Sequence, residues 1–531
     1  MGGRSKHKPK PRPPALPLLK QMLAETKDGP LLRMFWAIDA IQDDREEHAR
    51  GLLRYPPEAA TSDILSKYAA HKWDLETLIA VLLNNPKSIW SARALNIRTY
   101  DALAMLVNHL RRAEEDEHRD RLNNDNILIE VHRIGHRQFQ WQRGWRRPQD
   151  FYRHLFIYGQ GICADYFQKT YGISVIDFVS VSFVVFGMMI GSPWMANPRG
   201  LRIIDLDDKL LDIVIPMLSG EIADLRTASA KMTSDIETGL GASLPIAYQP
   251  SYLRLKPIIQ LRSESGRYIA PLPDLILMRV TVGLFYDLVS GGTTVTNDAA
   301  NRFEEYAQKV IKALCPGFDP LPAAKYTFNK NPVDTPDVLL KHGKKIVAVF
   351  ECKATKLTFQ AQYGDDPVND SKTGYEQMAK AIFQLWKFFS HVRRKLVELD
   401  VADDAVGVVL TMEPWTQMGG PLRERLISAA KDLAAQKDPL ITEEDMRPPV
   451  FCAIQDLEEM LVSSTEEQLL QAFRVATTEK YRSWGVREVR EAEVPAIDKR
   501  KDFPFSVGDF LPWWSKLKVA GKAAREAKAK P

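Results

Sequence analysis

The chain has 531 residues, of which 45% are hydrophobic and 26% are charged, with 29 glycines and 33 prolines. This composition is typical of a globular protein and excludes collagen-like, disulfide-scaffold and wholly disordered chains. At about 100 to 200 residues per domain, the length predicts about three to four domains. The four cysteines lie far apart without a CxxC pair, which argues against a zinc ribbon or a disulfide framework and favours the reducing cytoplasm.

The net charge of +4 comes from the two ends of the chain. Residues 1–12 hold five basic side chains and no acidic one, and residues 514–531 hold six basic side chains and one glutamate, so each end contributes +5. The body therefore carries −6, the difference between +4 and the +10 of the ends. Such tails either hold phosphates in a salt-sensitive way or are solvated extensions, and composition does not distinguish the two.

We expect no membrane segment. The most apolar stretch, Phe178–Ile190, has 13 residues without a charge, whereas a membrane span needs about 20. It is predicted to be a buried core element. The basic, Pro-rich N-terminus is not followed by the apolar region of a signal peptide.

The first half of the chain is predicted to be mainly helical. After a basic, Pro-rich tail at residues 1–22, residues 23–125 place apolar side chains at helical spacing. Residues 126–295 are predicted to be a mixed, mainly helical domain with strands near 256–261 and 268–270. The run Ser290-Gly-Gly-Thr-Thr-Val-Thr is predicted to be a linker.

The stretch at residues 132–153 has six arginines, one acidic residue and interleaved aromatic rings. Arginine for phosphates and flat rings for stacking are typical of a nucleic-acid surface. The alternative is a solvated arginine face whose rings point inward. The candidate contacts are Arg137, Arg143, Arg146, Arg147, Trp141 and Trp145.

From residue 296 onward the elements alternate. Apolar residues between Phe303 and Leu314 form one helical stripe that Cys315-Pro-Gly ends. A β-hairpin is predicted from Asp337 to Phe350, with its turn near Gly343. A helix, a strand, a second helix and a short strand near residue 450 follow. We predict a mixed sheet flanked by helices over residues 296–475, and a C-terminal extension with a basic tail over residues 476–531.

The predicted hairpin brings two carboxylates and an ammonium group together. Asp337 is expected opposite Val349 or Phe350, so that Glu351 is its near neighbour on the other strand. Glu351 and Lys353 face the same way because side chains alternate along a strand. Neighbouring carboxylates repel unless a cation lies between them, and oxygen ligands suit Mg²⁺ or Mn²⁺. The alternative is an ordinary salt bridge between Glu351 and Lys353 at exposed strand ends.

Pro336-Asp337, thirteen further residues and Glu351-Cys352-Lys353 resemble the PD-(D/E)xK superfamily of restriction-endonuclease-like nucleases. Phe303-Glu304-Glu305-Tyr306 resembles the Phe-Glu-x-Tyr form of the helix that precedes the hairpin in that superfamily. The resemblance covers about a third of the chain. It implies an α/β restriction-endonuclease-like domain, preceded here by a mainly helical N-terminal half.

By this resemblance, Asp337, Glu351 and Glu304 would bind the metal, and Lys353 would position a water and steady the transition state. Gln377 resembles a polar residue that some members direct at the site. The alternative places Glu304 on a solvated helix face and Gln377 on the surface. Cys352 is predicted to be a small core residue.

These features predict a metal-dependent nuclease, with DNA preferred over RNA because most of the superfamily cut DNA. A bacterial defence or restriction-type effector is the first interpretation of its role, and a repair or recombination nuclease the second. The alternative classes are a nucleic-acid-binding protein without turnover and a subunit that needs a separate regulatory or ATPase partner. A homodimer is compatible with the sequence.

Overall fold

A computed structural model describes residues 14–88, 95–122, 126–196, 198–199, 201–264, 266–364, 372–414 and 420–516. Most of the two basic tails therefore lies outside the described residues. The chain forms two compact units. The first contains Met1–Asn124, Ser182–Gly200 and Val214–Arg279, and the second contains Asp125–Val181, Leu201–Ile213 and Val280–Pro531. Residues 126–295, predicted as one domain, are divided between the two units.

The first unit is mainly helical, as predicted for its N-terminal part. Its helices are α1 (Ala15–Glu25), α2 (Asp28–Ile41), α3 (Glu46–Ala49), α4 (Lys72–Asn84), α5 (Tyr100–Arg121), α11 (Ile222–Leu240) and α12 (Asp274–Arg279). Two further helices, α9 (Val175–Gly191) and α10 (Leu210–Leu218), have residues in both units. A small sheet contains β1 (Ser219–Glu221), β2 (Ile258–Leu261) and β3 (Arg267–Ile269) in that order, so the two strands predicted here are present.

The second unit is built on a five-stranded mixed sheet. Its strands are β4 (Phe318–Pro322), β7 (Val338–His342), β8 (Lys345–Lys353), β9 (Val401–Thr411) and β10 (Val450–Ala453). Their order is β10-β9-β8-β7-β4; β8, β9 and β10 run parallel, and β4 and β7 are antiparallel to their neighbours. A separate hairpin, β5 (Lys325–Phe328) and β6 (Asn331–Asp334), lies between β4 and β7 in the sequence.

Helices of the second unit flank this sheet. They are α6 (Ile127–Arg143), α7 (Pro148–Tyr158), α8 (Gly161–Tyr171), α13 (Leu284–Leu288), α14 (Gly292–Leu314), α15 (Phe359–Tyr363), α16 (Lys372–Arg393), α17 (Gly420–Lys437), α18 (Ile454–Ser463), α19 (Glu466–Ala476) and α20 (Val486–Glu493). The apolar face of α16 packs with the sheet residues Val349 and Val409 in one buried cluster. The second unit is therefore a mixed α/β fold with helices on its sheet.

The stripe predicted between Phe303 and Leu314 forms the buried side of α14, and the helix ends at Leu314 as expected. The linker predicted at residues 290–296 is wrong, because α14 already begins at Gly292. Gly292 has a φ of 77°, which glycine adopts without strain, and the buried Val295 then ties the first turn to the protein core.

One stretch among the described residues, Asp274–Leu314, is long and apolar enough to cross a membrane, but 61% of its apolar window is buried inside the protein. Core helices pass the same test, and this stretch is broken into α12, α13 and α14. The helices α8 and α9 pass only as a pair, with a bend of 67° between them. Phe178, Val179 and Val181 are fully buried in α9, as predicted for a core element.

Candidate active site

The β7–β8 hairpin places Asp337 opposite Glu351. A two-residue loop containing Gly343, whose φ is 63°, connects the strands. Val338 pairs with Phe350, so the next position outward joins Asp337 to Glu351. The prediction placed Asp337 one residue earlier on the partner strand. The difference arises from a register shift beside Leu340, which adds one residue to β8.

Three hydrogen-bonding groups meet at the end of this hairpin. Asp337 Oδ2 accepts a hydrogen bond from the backbone N–H of Cys352 at 2.6 Å. Lys353 Nζ donates to Glu351 Oε1 at 2.7 Å, as expected for side chains on one face of β8. Glu351 is only 2% exposed, and its second oxygen, Oε2, is buried without a hydrogen-bond partner among the described residues. The strand ends are thus not exposed, and the salt bridge leaves half of the carboxylate uncompensated.

Helix α14 brings a third carboxylate to the hairpin. Burial raises the pKa of Glu304 to about 8, with further contributions from the negative charges of Asp337 and Glu351. Glu304 is half-buried, whereas its neighbour Glu305 is exposed. Of the two adjacent glutamates, Glu304 therefore faces the site.

The electrostatics of the hairpin residues show the same crowding. Burial raises the pKa of Glu351 to about 7; Lys353 opposes this shift and Asp337 adds to it. Burial also raises the pKa of Asp337. The pKa of Lys353 is raised because attraction to Glu351 and Asp337 outweighs its own burial. The four residues Glu304, Asp337, Glu351 and Lys353 thus act on one another as a single cluster.

Two further predicted residues lie beside this cluster. Cys352 is buried, and burial together with the surrounding carboxylates raises the pKa of its thiol well above the usual value. It is a protonated core residue, as predicted. Gln377 is half-buried on α16, one turn before Lys380, whose charge acts weakly on Glu351. Among the described residues, the structure shows no hydrogen bond from Gln377 to the cluster.

The basic, aromatic stretch does not form the predicted stacking surface. Trp141 and Trp145 are 6% and 3% exposed and pack edge to face with 4.9 Å between ring centroids. Arg143 bonds to Asp456 at 3.1 Å, and Arg147 bonds to Glu459 at 3.0 Å. The two rings are core residues, and both arginines are engaged with α18.

The remaining two predicted contacts in this stretch give no stacking surface either. Arg137 is buried, and Arg146 is exposed but has an interaction within the chain. The alternative of inward-pointing rings therefore describes this stretch better than a nucleic-acid surface does.

A buried ionic network near the site was not predicted. Arg153 is fully buried and donates to both carboxylate oxygens of Glu458 at 2.6 and 2.7 Å, and it also pairs with Asp150. The hydroxyl of Tyr306, two residues after Glu304, donates to Glu458 at 2.6 Å. The network joins α7, α14 and α18 and fixes the helix that carries Glu304. Only the i, i+3 spacing of Asp150 and Arg153 was visible in the sequence.

The cluster has some of the features that a divalent cation needs. Among the described residues, no three His, Cys, Asp or Glu side chains already converge as a ready-made metal cage. Asp337 and Glu351 each commit one oxygen to a hydrogen bond, with the backbone N–H of Cys352 and with Lys353 respectively. The unpartnered Oε2 of Glu351 and the all-oxygen donor set nevertheless suit Mg²⁺ or Mn²⁺.

No family model, curated protein or solved structure matches the chain.

Proposed function

We propose that the second unit is a metal-dependent phosphodiester hydrolase with a restriction-endonuclease-like domain, and that its substrate is nucleic acid, DNA before RNA. One observation carries the proposal: Glu351 is buried beside Asp337 and Glu304, and its Oε2 has no hydrogen-bond partner among the described residues. Leaving a buried acceptor without a hydrogen-bond partner costs about 1 to 3 kcal/mol, and more when the group is charged. A function that supplies a cation explains why this arrangement is tolerated.

Asp337, Glu351 and Glu304 would hold the ion through oxygen atoms. When bound, Mg²⁺ or Mn²⁺ supplies a Lewis acid that neutralises charge on a phosphoryl group and lowers the pKa of a water. This chemistry fits a phosphodiester better than an uncharged substrate. The site also offers the fixed ammonium group of Lys353, which attracts a negatively charged phosphoryl group.

Lys353 has the chemistry of a group that positions water and stabilises a transition state. Its ammonium is held by Glu351 at 2.7 Å, and its raised pKa keeps it charged at neutral pH. Attack of a water oxygen on phosphorus forms one P–O bond and breaks another. Negative charge then builds up on the oxygens bound to phosphorus, and a preorganised cation at this position offsets that charge.

The substrate preference and the biological role rest on the resemblance to the superfamily. A defence or restriction-type effector remains our first proposal for the role, and a repair or recombination nuclease the second. A subunit that is inactive without a separate regulatory or ATPase partner is the alternative.

The test is cleavage of labelled duplex DNA, single-stranded DNA and structured RNA by the full chain with Mg²⁺, Mn²⁺ or EDTA. Asp337→Asn and Lys353→Met are expected to abolish cutting, since each removes a charge from the cluster. Glu304→Gln is expected to lower the rate by at least about tenfold, as for loss of a group that acts on the transition state.

The matched control is Glu305→Gln, the same change at the adjacent, exposed glutamate. It should leave the rate unchanged. Metal-independent cutting, or equal effects of the Glu304 and Glu305 substitutions, would contradict the proposed site. Wild-type chain that is folded and metal-loaded but cuts none of the three substrates would contradict the hydrolase itself.

A further inference from the structure

Helix α14 carries a row of exposed, uncharged polar side chains that leads to Glu304. Thr293, Asn297 and Asn301 follow one another at intervals of four residues, and Glu304 lies three residues beyond Asn301. Residues at these spacings share one face of a helix. The first three are exposed, Glu304 is half-buried, and Ile311, seven residues further on the same face, is fully buried. The row therefore runs from solvent into the carboxylate cluster.

The length of this row suits a nucleic-acid strand. From Thr293 to Glu304 the helix rises about 16 Å at 1.5 Å per residue. A row of this length is long enough to contact successive phosphates of one strand. Threonine hydroxyls and asparagine amides are among the side chains that donate hydrogen bonds to phosphate oxygens.

An exposed aromatic ring lies on helix α13, against the segment that follows β8. Tyr286 is 52% exposed, and its ring centroid is 5.3 Å from Lys356 Nζ. Lys356 is anchored to the backbone oxygen of Val282 and lies three residues after Lys353, at most about 11 Å along an extended chain. Tyr286 thus contacts the segment that directly follows the strand carrying Glu351 and Lys353, where an exposed ring offers a stacking face to a base.

We infer that Thr293, Asn297, Asn301 and Tyr286 form a substrate track that binds a single nucleic-acid strand and leads it to the carboxylate cluster. This inference rests on the proposed function and adds the surface that positions the substrate. The track holds phosphates through neutral donors and a base through stacking. It needs no arginine surface, in agreement with the engagement of Arg143 and Arg147 inside the fold.

The experiment measures strand binding without turnover. The full chain carries Asp337→Asn in EDTA, and the dissociation constants of a fluorescein-labelled single-stranded DNA and an RNA of the same sequence are measured by anisotropy. The double variant Asn297→Asp with Asn301→Asp keeps the shape of the row and places two negative charges along it. It is expected to weaken binding by about tenfold or more, because like charges then face the phosphates.

Asn108→Asp is the matched control, since Asn108 is an exposed asparagine on helix α5. It should bind as tightly as the parent chain. At the ring, Tyr286→Leu is expected to weaken binding by about tenfold, within the range for loss of one base stack. Tyr286→Phe should restore it, because phenylalanine keeps the stacking face and the contact with Lys356.

Equal binding by the double variant and the Asn108→Asp control, or no binding of either strand by the parent chain, overturns the track. Track-dependent binding by a protein that cuts nothing with metal supports the track and contradicts the hydrolase. Metal-dependent cutting that the track variants leave unchanged supports the hydrolase and contradicts the track. A preference for the DNA or the RNA strand identifies which of the two the supported track takes.

Discussion

Replacement of Arg153 by methionine tests the reasoning about how the second unit holds its site helix. The guanidinium is fully buried, with two hydrogen bonds to Glu458 and a pair with Asp150. Its removal leaves both carboxylates buried without their main partner. Breaking such a pair from one side costs about 3 to 5 kcal/mol. Unfolding entropy of about 2.1 cal/mol/K per residue gives about 1.5 °C per kcal/mol for a unit of this size, so the melting temperature should fall by about 4 to 7 °C.

The loss should also depend on pH. In the native protein, burial opposes ionisation of Asp150, but Arg153 and Arg147 outweigh it and lower its pKa. Without Arg153, burial raises this pKa above that of the unfolded chain. A carboxyl group with a raised folded pKa stabilises the fold only below its unfolded pKa, and its contribution is lost as pH rises. The deficit of the variant should therefore be larger at pH 8 than at pH 5.

Calorimetry of the full chain at the two pH values gives the measurement. The control is Arg474→Met, the same change at an ion pair with Asp404 whose side chains are 37% and 60% exposed. Surface pairs of this kind contribute less than about 1 kcal/mol. If Arg153→Met lowers the melting temperature no more than Arg474→Met, or if its deficit shrinks toward pH 8, the network does not hold the helix as described.

Three further outcomes are expected. Mg²⁺ at a hundred times its Kd should stabilise the wild-type chain by about 2.7 kcal/mol relative to EDTA, and Glu351→Gln should lose this gain; equal melting shifts in both would count against ligation by Glu351. In the first unit, Lys72→Met should lower the free energy of unfolding in urea by about 3 to 5 kcal/mol, because the Lys72 ammonium lies 2.9 to 3.3 Å from three aspartates. A loss below about 1 kcal/mol would show that the three aspartates become hydrated in the variant. Cys352 should resist Ellman's reagent in the folded protein, since its thiol is buried with a raised pKa, and rapid labelling would place it at the surface.

The elements around the site could be predicted because their signals are local. The stripe from Phe303 to Leu314 has the helical period, and the hairpin has a glycine turn between two apolar runs. The hairpin pattern brought Asp337, Glu351 and Lys353 together, and the resemblance to the superfamily added Glu304 on the preceding helix. The one-residue register error followed from the shift beside Leu340, which no short-range pattern in the strands indicates.

Strands β4, β5 and β6 were missed for a physical reason. Strand β4 contains Pro320 and Pro322, and proline normally argues against a strand because it cannot donate to a ladder. The sheet tolerates them because β4 is its edge strand and pairs only with β7. Whether a strand lies at an edge is decided by the whole sheet, so its own residues do not reveal it.

The basic, aromatic stretch shows what composition cannot decide. An arginine that binds phosphate and one that binds a distant carboxylate look the same in sequence. Arg143 finds Asp456 and Arg147 finds Glu459, both more than 300 residues further along the chain. A stretch that is basic in isolation is therefore largely neutralised once α6 and α7 meet α18.

The position of Glu351 explains why the site lies at the end of β8. This strand pairs with β7 up to Phe350 and with β9 as far as Lys353, so β9 holds the backbone that carries Glu351 and Lys353, and Asp337 accepts a hydrogen bond from the N–H between them. A fixed backbone holds buried carboxylates close together, where flexible loops would let them separate into water. The raised pKa values of Glu304 and Glu351 measure the resulting cost. A fold that retains this cost in an interior strand of its sheet is consistent with a site whose charge is balanced when cation and substrate bind.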